Sequence, residues 1–131
     1  MDPIADSFVQ LKNALKTSKK EITIYYSKMK LAILETLKKQ GFILDCQEVK
    51  NETKKYPIIQ VSLKYKNDRE GAFDNIRRVS RPGRRVYLPS NKIGQAQRGK
   101  LDIIISTPQG VMSGKEARAK GLGGEVIGEV V

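Results

Sequence analysis

The chain opens with a helical repeat of apolar positions and continues with shorter runs of strand length. Asp2 and Pro3 predict a helix start, because Asp caps free amides and Pro suits the first helical turn. The apolar stripe of this helix recurs every three or four residues, at Ile4, Phe8, Leu11 and Leu15. Residues 22–26 then predict a first strand.

A second helix and a hairpin complete the first half of the chain. Ser27 predicts the N-cap of this helix, and Gly41 predicts its end. Its predicted apolar face consists of Met29, Ile33, Leu34 and Leu37. Strands are predicted over residues 42–49 and 58–65, with the polar residues 50–55 as the loop between them.

The second half is predicted to be rich in strands. Its candidate strands are residues 73–79, 85–88, 102–106 and 125–131. A Pro-Gly pair predicts a turn at residues 81–83, and the polar residues 107–110 predict a loop. The glycines of residues 121–124 predict a tight connection before the last strand.

One short helix is predicted among these strands. Residues 113–120 fit it, with Ser113 and Glu116 in the positions of a capping box. Residues 89–97 fit either a short helix or irregular turns. The elements together predict an α+β fold of two small lobes, α-β-α-β-β over residues 1–65 and a β-rich lobe with a short helix over residues 66–131.

The composition limits the chemistry of the protein. Its 25 Lys and Arg against 14 Asp and Glu give a net charge of +11, which favours a polyanionic partner. Histidine is absent and Cys46 is the single cysteine, so the usual acid–base group, a disulfide framework and a thiolate metal cluster are all missing. We expect no enzymatic activity, no cofactor, no metal and no small-molecule substrate, and we expect Cys46 to be a small buried apolar residue.

No segment of the sequence is expected to enter a membrane. Nowhere does an apolar run approach the roughly 20 residues that span a bilayer. The first 20 residues also lack the apolar stretch of a signal peptide. The predicted location is the cytoplasm.

Arginine is confined to the second half of the chain. Every basic residue in residues 1–65 is Lys, whereas all eight Arg lie between Arg69 and Arg118. Residues 75–101 contain no acidic residue and eight basic ones. Arg presents a planar fork that matches phosphate, so this stretch predicts RNA contacts by Arg77, Arg78, Arg81, Arg84 and Arg85. The alternative is a basic face that is simply solvated.

The aromatic content indicates what kind of nucleic acid recognition to expect. Three Phe, five Tyr and no Trp provide no pair of strand aromatics on which successive bases could stack. We therefore expect contacts to the backbone and shape of folded RNA, with polar turn residues in a groove. From the residues alone, ordinary turn chemistry is the simpler interpretation of Ser106, Thr107 and Gly110, and strand packing is the simpler interpretation of Tyr87. Glu125 is compatible with a cap or an Arg partner as well as with an RNA contact.

Four motifs, in order along nearly the whole chain, resemble the bacterial small-subunit ribosomal protein S8 family. They are Asp2-Pro-Ile-Ala-Asp6, Arg78-Val-Ser-Arg-Pro-Gly83 with Arg85-Val-Tyr87, Ile105-Ser-Thr107 with Gly110-Val-Met112, and Glu116-Ala-Arg118 with Gly121-Leu-Gly-Gly-Glu-Val126. The resemblance implies a primary binder of the small-subunit ribosomal RNA central domain that is needed for assembly. It also implies neighbouring ribosomal proteins as partners and, as in some members, binding to the messenger RNA of the protein's own operon with translational repression.

The resemblance also implies particular RNA contacts. By motif match, a loop with Ser106, Thr107 and Gly110 enters the RNA minor groove, and supporting contacts come from Tyr87, Gly123, Gly124, Glu125 and Lys54. Lys12 and Asn13 are matched to a second RNA segment. This chain departs from the family at Pro108 and Gln109, where the family usually has Ser and Lys.

Two alternative functions follow from the same residues. A general DNA-binding or nucleoid-type basic protein would share the charge, but no basic recognition helix is evident in the sequence. An RNA-processing enzyme would share the partner, but the sequence offers no paired acid and base. Binding to ribosomal RNA is therefore the leading hypothesis.

Overall fold

The computed structural model describes residues 2–50, 56–68, 70–96 and 101–131. The chain forms two compact units. Val9–Phe73 is here called the N unit, and Met1–Phe8 together with Asp74–Val131 is called the C unit. The predicted division into lobes at residues 65 and 66 stays a prediction.

Helix α1 (Pro3–Lys16) begins in the C unit and ends in the N unit. The Asp2 carboxylate caps it as predicted, because Oδ1 accepts hydrogen bonds from the amides of Ile4 and Ala5 at 3.2 Å each. Its predicted apolar stripe is largely confirmed. Phe8, Leu11 and Leu15 are buried, while Ile4 is half-buried.

The N unit is a three-stranded antiparallel sheet with a second helix. Its elements are β1 (Glu21–Tyr25), α2 (Lys28–Gln40), β2 (Ile43–Val49) and β3 (Ile58–Leu63), and the sheet order is β1-β3-β2. The Ser27 hydroxyl accepts from the Lys30 amide at 3.1 Å, and Gly41 ends α2 in the left-handed conformation at φ 84°. Both predictions are confirmed. Met29 is exposed, so its place on the buried face of α2 was wrong.

The C unit is built around one antiparallel sheet whose central strand is the last along the chain. Its elements are β4 (Ile76–Arg78), β5 (Tyr87–Leu88), a 3-10 turn (Ser90–Lys92), α3 (Ile93–Ala96), β6 (Asp102–Thr107), β7 (Gly110–Ser113), α4 (Gly114–Ala119) and β8 (Gly124–Val130). The sheet order is β4-β8-β6-β7, and β5 pairs with β8 on the same side as β4. The predicted α+β class, with a β-rich second half and a short helix, is confirmed.

Helices α3 and α4 cover one face of the C-unit sheet. Ile93 of α3 and Ala117 of α4 pack in a buried cluster with Ile103, Ile105, Met112 and Val126 of the strands. Side chains alternate between faces along a strand, so residues next to these in β6 and β8 point to the opposite face. That face is partly covered as well, because the Phe8 ring lies against Gly128.

Several elements of the second half differ from their predicted extents. β4 and β5 are shorter than expected, at three and two residues. For residues 89–97, the short-helix alternative is the correct one in the described part, because the 3-10 turn Ser90–Lys92 passes directly into α3. β7 was missed, because Gly110-Val-Met-Ser113 places two apolar residues next to each other and lacks the alternation that predicts a strand.

Candidate nucleic-acid interface

Three side chains form a row across adjacent strands on the face of the C-unit sheet that α3 and α4 leave open. Glu125 of β8 pairs with Tyr87 of β5 on one side and with Ser106 of β6 on the other. Residues directly opposite in an antiparallel sheet point to the same face. Tyr87 is 66% exposed, and Ser106 and Glu125 are half-buried. The structure therefore brings together three predicted site residues that lie up to 38 positions apart in the sequence.

The hairpin between β6 and β7 lies at the end of this row. Thr107 pairs with Gly110 across the turn, and its hydroxyl donates to the Gly110 carbonyl at 2.8 Å while accepting from the Gln109 amide at 3.2 Å. The Thr107 side chain is buried, whereas Pro108 and Gln109 are exposed at the tip. The Thr107 hydroxyl thus stabilises the conformation of the loop. The tip of the loop consists of Pro108 and Gln109, the two residues that differ from the family pattern.

The predicted backbone site at Gly123 and Gly124 is a place of close chain approach. A Cβ on Gly124 would lie 2.0 Å from the Ser106 carbonyl oxygen, and a Cβ on Gly123 would lie 2.6 Å from the Leu88 carbonyl oxygen. Both glycines are therefore required by packing within the C unit. Their close packing keeps β5, β8 and β6 at the spacing that forms the row.

A tight turn presents the central arginines. Arg81 and Arg84 exchange two backbone hydrogen bonds of 2.9 Å around Pro82 and Gly83, which confirms the predicted turn. Arg81, Arg84 and Arg85 are exposed. The Arg85 guanidinium donates to the Glu125 carboxylate at 3.2 Å, so this turn is joined to the row of Tyr87, Glu125 and Ser106.

Arg78 is engaged inside the C unit. Its side chain is only 8% exposed, and its guanidinium donates to the Asp2 carboxylate at 3.0 Å and to the Ile127 carbonyl at 2.7 Å. Burial alone would raise the pKa of Asp2. The amides of Ala5 and Ile4 and the Arg78 charge outweigh it and lower that pKa below its ordinary value. A phosphate contact by Arg78 stays a prediction that its burial does not favour.

The other residues predicted to contact RNA lie in different parts of the chain, and one of them is outside the described residues. Arg77 precedes Arg78 in β4. Its side chain points to solvent and forms an ion pair with Glu129 of β8. Lys54 lies outside the described residues. In the N unit, Asn13 lines an open groove between α1 and β1, together with Gln10 and Thr17. Lys12 does not line this groove.

The described residues offer neither a cluster that could hold a metal ion nor an activated thiol. Within residues 2–50, 56–68, 70–96 and 101–131, no three Asp, Glu or Cys side chains gather as a metal site would require. Cys46 is half-buried rather than fully buried as predicted, and burial raises the pKa of its thiol, which disfavours the reactive thiolate. No helix in the described part of the chain is long and apolar enough to span a membrane.

Sequence reasoning missed the partners that organise this surface. The alternative that Glu125 pairs with an Arg is confirmed, but the sequence did not indicate that the partner is Arg85, 40 positions away. The Arg78–Asp2 pair, which joins residues 76 positions apart, was not predicted. Such pairs depend on strand register and on where α1 begins. The motif order alone carries no signal for them.

Fold and surface define a small α+β protein with an arginine-bearing, polar sheet face. The family model for ribosomal protein S8 matches residues 2–131, and the chain belongs to the ribosomal protein S8 family. Its relatives include small ribosomal subunit protein uS8 of Metamycoplasma arthritidis, 43% identical over 97% of this chain and 94% of the relative. The uS8 proteins of Thermodesulfovibrio yellowstonii and Koribacter versatilis are 41% and 40% identical, over 96% and 98% of this chain and 95% and 96% of each relative.

Family membership confirms several predictions made from the sequence. The protein is a ribosomal protein and a structural component rather than an enzyme. Its place in the ribosome makes it cytoplasmic, as predicted. The individual contact residues stay predictions.

Proposed function

We propose that the protein binds folded small-subunit ribosomal RNA of the central domain through the C unit and thereby supports subunit assembly. The observation that carries this proposal is the row of Tyr87, Glu125 and Ser106, joined through Arg85 to an exposed arginine turn. In this proposal the arginines of the turn bind phosphates. The row of Tyr87, Glu125 and Ser106 and the tip of the β6–β7 hairpin contact the shallow minor groove.

The parts of this surface have different tasks in the proposal. Arg81, Arg84 and Arg85 position the RNA by its backbone, since phosphate contacts carry no sequence information. Tyr87 presents an exposed ring to a ribose or base, and Ser106 a hydroxyl to the groove. Thr107 and the two glycines act indirectly by holding the loop and the strand spacing.

A binding experiment with folded small-subunit ribosomal RNA tests the proposal. Tyr87→Ala is expected to weaken binding about tenfold, within the range for loss of an aromatic contact to nucleic acid. Thr107→Ala is also expected to weaken binding, because the loop loses its internal hydrogen bonds. Tyr25→Ala is the matched control, since Tyr25 is 70% exposed, close to the 66% of Tyr87, but lies in the N unit. Parent-like binding by both site variants, with the fold intact, would show that the site is wrongly assigned.

General DNA binding is the alternative function. The two helices of the C unit that follow its arginine turn have four and six residues, which is short for a helix that lies along a major groove. Competition at fixed salt separates the two functions. Plain duplex DNA is expected to displace folded ribosomal RNA far less well than unlabelled RNA does, and equal displacement would favour the alternative.

We further propose that the same surface binds a similar structure in the protein's own operon messenger RNA and represses its translation. The support is that one surface recognises shape and backbone, so any RNA that repeats that shape competes for it. Repression of a reporter carrying that messenger region should be relieved by added ribosomal RNA fragment and by Tyr87→Ala. Repression that persists under both conditions would contradict it.

A further inference from the structure

A second basic surface lies on the helical layer of the C unit. Ile93 and Gly94 of α3 and Gly114, Lys115 and Arg118 of α4 line a shallow pocket of about 110 Å³. This volume is below the roughly 300 Å³ at which sites for small organic ligands begin. The pocket therefore suits a single small group rather than a metabolite.

The Arg118 guanidinium is seated against the backbone of α3. A Cβ on Gly94 would lie 2.8 Å from Nη1 of Arg118 and 3.0 Å from its Cζ, so the missing side chain at residue 94 makes room for the planar group. Arg118 nonetheless remains exposed. A guanidinium that packs against a neighbouring helix on one side loses less side-chain freedom when it binds an anion than one that extends freely into solvent.

The charges of α4 are divided between its two flanks. Lys115 and Arg118 share the flank that lines the pocket. Neither takes part in the ion pairs found between described residues. Glu116 and Lys120 form an ion pair of 3.4 Å with each other on the helix. Among the described residues, the pocket flank therefore carries two cations without an ion-pair partner, while Lys120 on the other flank is paired with Glu116.

We propose that this pocket binds a phosphate group of a second RNA segment, so that the C unit bridges two parts of a folded RNA. The helices α3 and α4 cover one face of the sheet, and the row of Tyr87, Glu125 and Ser106 lies on the other. A helix layer is roughly 10 Å thick, so a straight RNA helix lying on the open face does not reach Arg118. Occupation of both surfaces requires two segments.

The inference depends on the proposed function only for the identity of the first RNA. Arg is suited to the second contact because its fork makes two parallel hydrogen bonds to a phosphate. The contact is to the backbone and predicts no base preference. It therefore contributes to tethering neighbouring RNA segments and not to the choice of site.

A two-RNA binding assay on the full chain tests the bridge. The protein is first saturated with unlabelled folded small-subunit ribosomal RNA, and a labelled A-form RNA duplex is then added at low salt. The parent protein is expected to bind the duplex. Arg118→Gln is expected to weaken this second binding about fivefold and to make the negative slope of log K against log salt less steep by about 0.9. Binding of the first RNA should change less than twofold.

Two variants of the same unit make the test specific. Lys120→Gln removes the same charge from the other flank of α4 and should leave second binding within twofold of the parent. Gly94→Ala keeps every charge but displaces the Arg118 guanidinium, and it should lower second binding by an intermediate factor. Equal effects of Arg118→Gln and Lys120→Gln would show that net charge alone is responsible and would overturn the proposal.

Further outcomes separate this proposal from the proposed function. If Arg118→Gln weakens the first and second RNA equally, the protein has one continuous surface and no bridge. If the protein fails to bind the first RNA, the proposed function is wrong, and the duplex is then added alone to the Tyr87→Ala variant. Duplex binding that Arg118→Gln weakens and Lys120→Gln does not would show that the pocket beside Arg118 binds an RNA backbone by itself, whereas duplex binding independent of Arg118 would overturn the pocket as well. Displacement of the duplex by polyglutamate as efficiently as by RNA of equal charge would overturn the assignment to RNA.

Discussion

Gly124 lies so close to β6 that a Cβ at this residue would stand 2.0 Å from the carbonyl oxygen of Ser106. Both atoms in this conflict belong to the backbone or are fixed to it, so the strands would have to separate. We expect Gly124→Ala to lower the free energy of unfolding by about 3 kcal/mol, at the upper end for overpacked sites. Urea unfolding measures this change. Gly83→Ala is the control, since nothing lies within 4 Å of a Cβ there, and an equal loss in both variants would contradict the explanation.

The Asp2–Arg78 ion pair predicts a dependence of stability on pH. The pKa of Asp2 is lower in the folded protein than its ordinary value of 3.8, so its charged form stabilises the fold above that pH. The stabilisation is lost as pH falls through the lowered pKa.

Asp2→Asn tests this pH dependence. Asn retains a helix cap but loses the ion pair, so we expect a loss of about 1 kcal/mol at pH 7 and a smaller further loss on acidification than in the parent. Urea unfolding at pH 7 and pH 3 measures both effects. The exposed Asp68 provides the control substitution Asp68→Asn, and a parent-like decrease in Asp2→Asn would exclude this pair as a source of acid sensitivity.

The Thr107 hydroxyl is expected to act on the loop and not on RNA directly. Thr107→Val keeps the shape but removes both hydrogen bonds to the hairpin, at a cost of about 1 kcal/mol in unfolding free energy, and it should weaken RNA binding as well. Thr107→Ser retains the hydroxyl and should restore both properties. If Thr107→Ser binds RNA as poorly as Thr107→Val, the methyl group rather than the hydroxyl is responsible.

Substitutions of arginine and of tyrosine are expected to change the salt dependence of RNA binding differently. Arg84→Gln removes a phosphate contact and should reduce the slope of log K against log salt by about 0.9. Tyr87→Ala should lower affinity at every salt concentration and leave the slope unchanged. A salt series measured by fluorescence anisotropy distinguishes them. Lys28→Gln, an exposed cation of the N unit, controls for net charge, and a slope change equal to that of Arg84→Gln would argue against a specific contact.

Local signals in the sequence predicted α1, α2 and α4 well, whereas α3 was left open between a helix and irregular turns. Asp2, Ser27 and Gly41 each act within one turn of the helix that they begin or end, so their chemistry is visible in the sequence. β7 was not predicted, because its four residues gain their strand conformation from pairing with β6. Short strands of this kind depend on their neighbours rather than on their own pattern.

The candidate site was predicted only in part for a related reason. Arg77 and Arg78 look alike within an acid-free run, yet strand alternation turns one to solvent and the other toward Asp2. The charge pattern indicated a polyanion-binding half, and the motif order indicated the family. Strand register determines which of these residues are exposed for contacts and which are buried and stabilise the fold. Register cannot be read from neighbouring residues in the sequence.

The position of β8 has a consequence for the order in which the protein folds during synthesis. β8 lies at the centre of the C-unit sheet, between β6 and the pair β4 and β5, but it follows every other strand along the chain. The N unit, a continuous segment, can close while later residues are still being added. The C unit must wait for its central strand, and until then the edges of β4, β5 and β6 are unpaired and exposed to association with other chains.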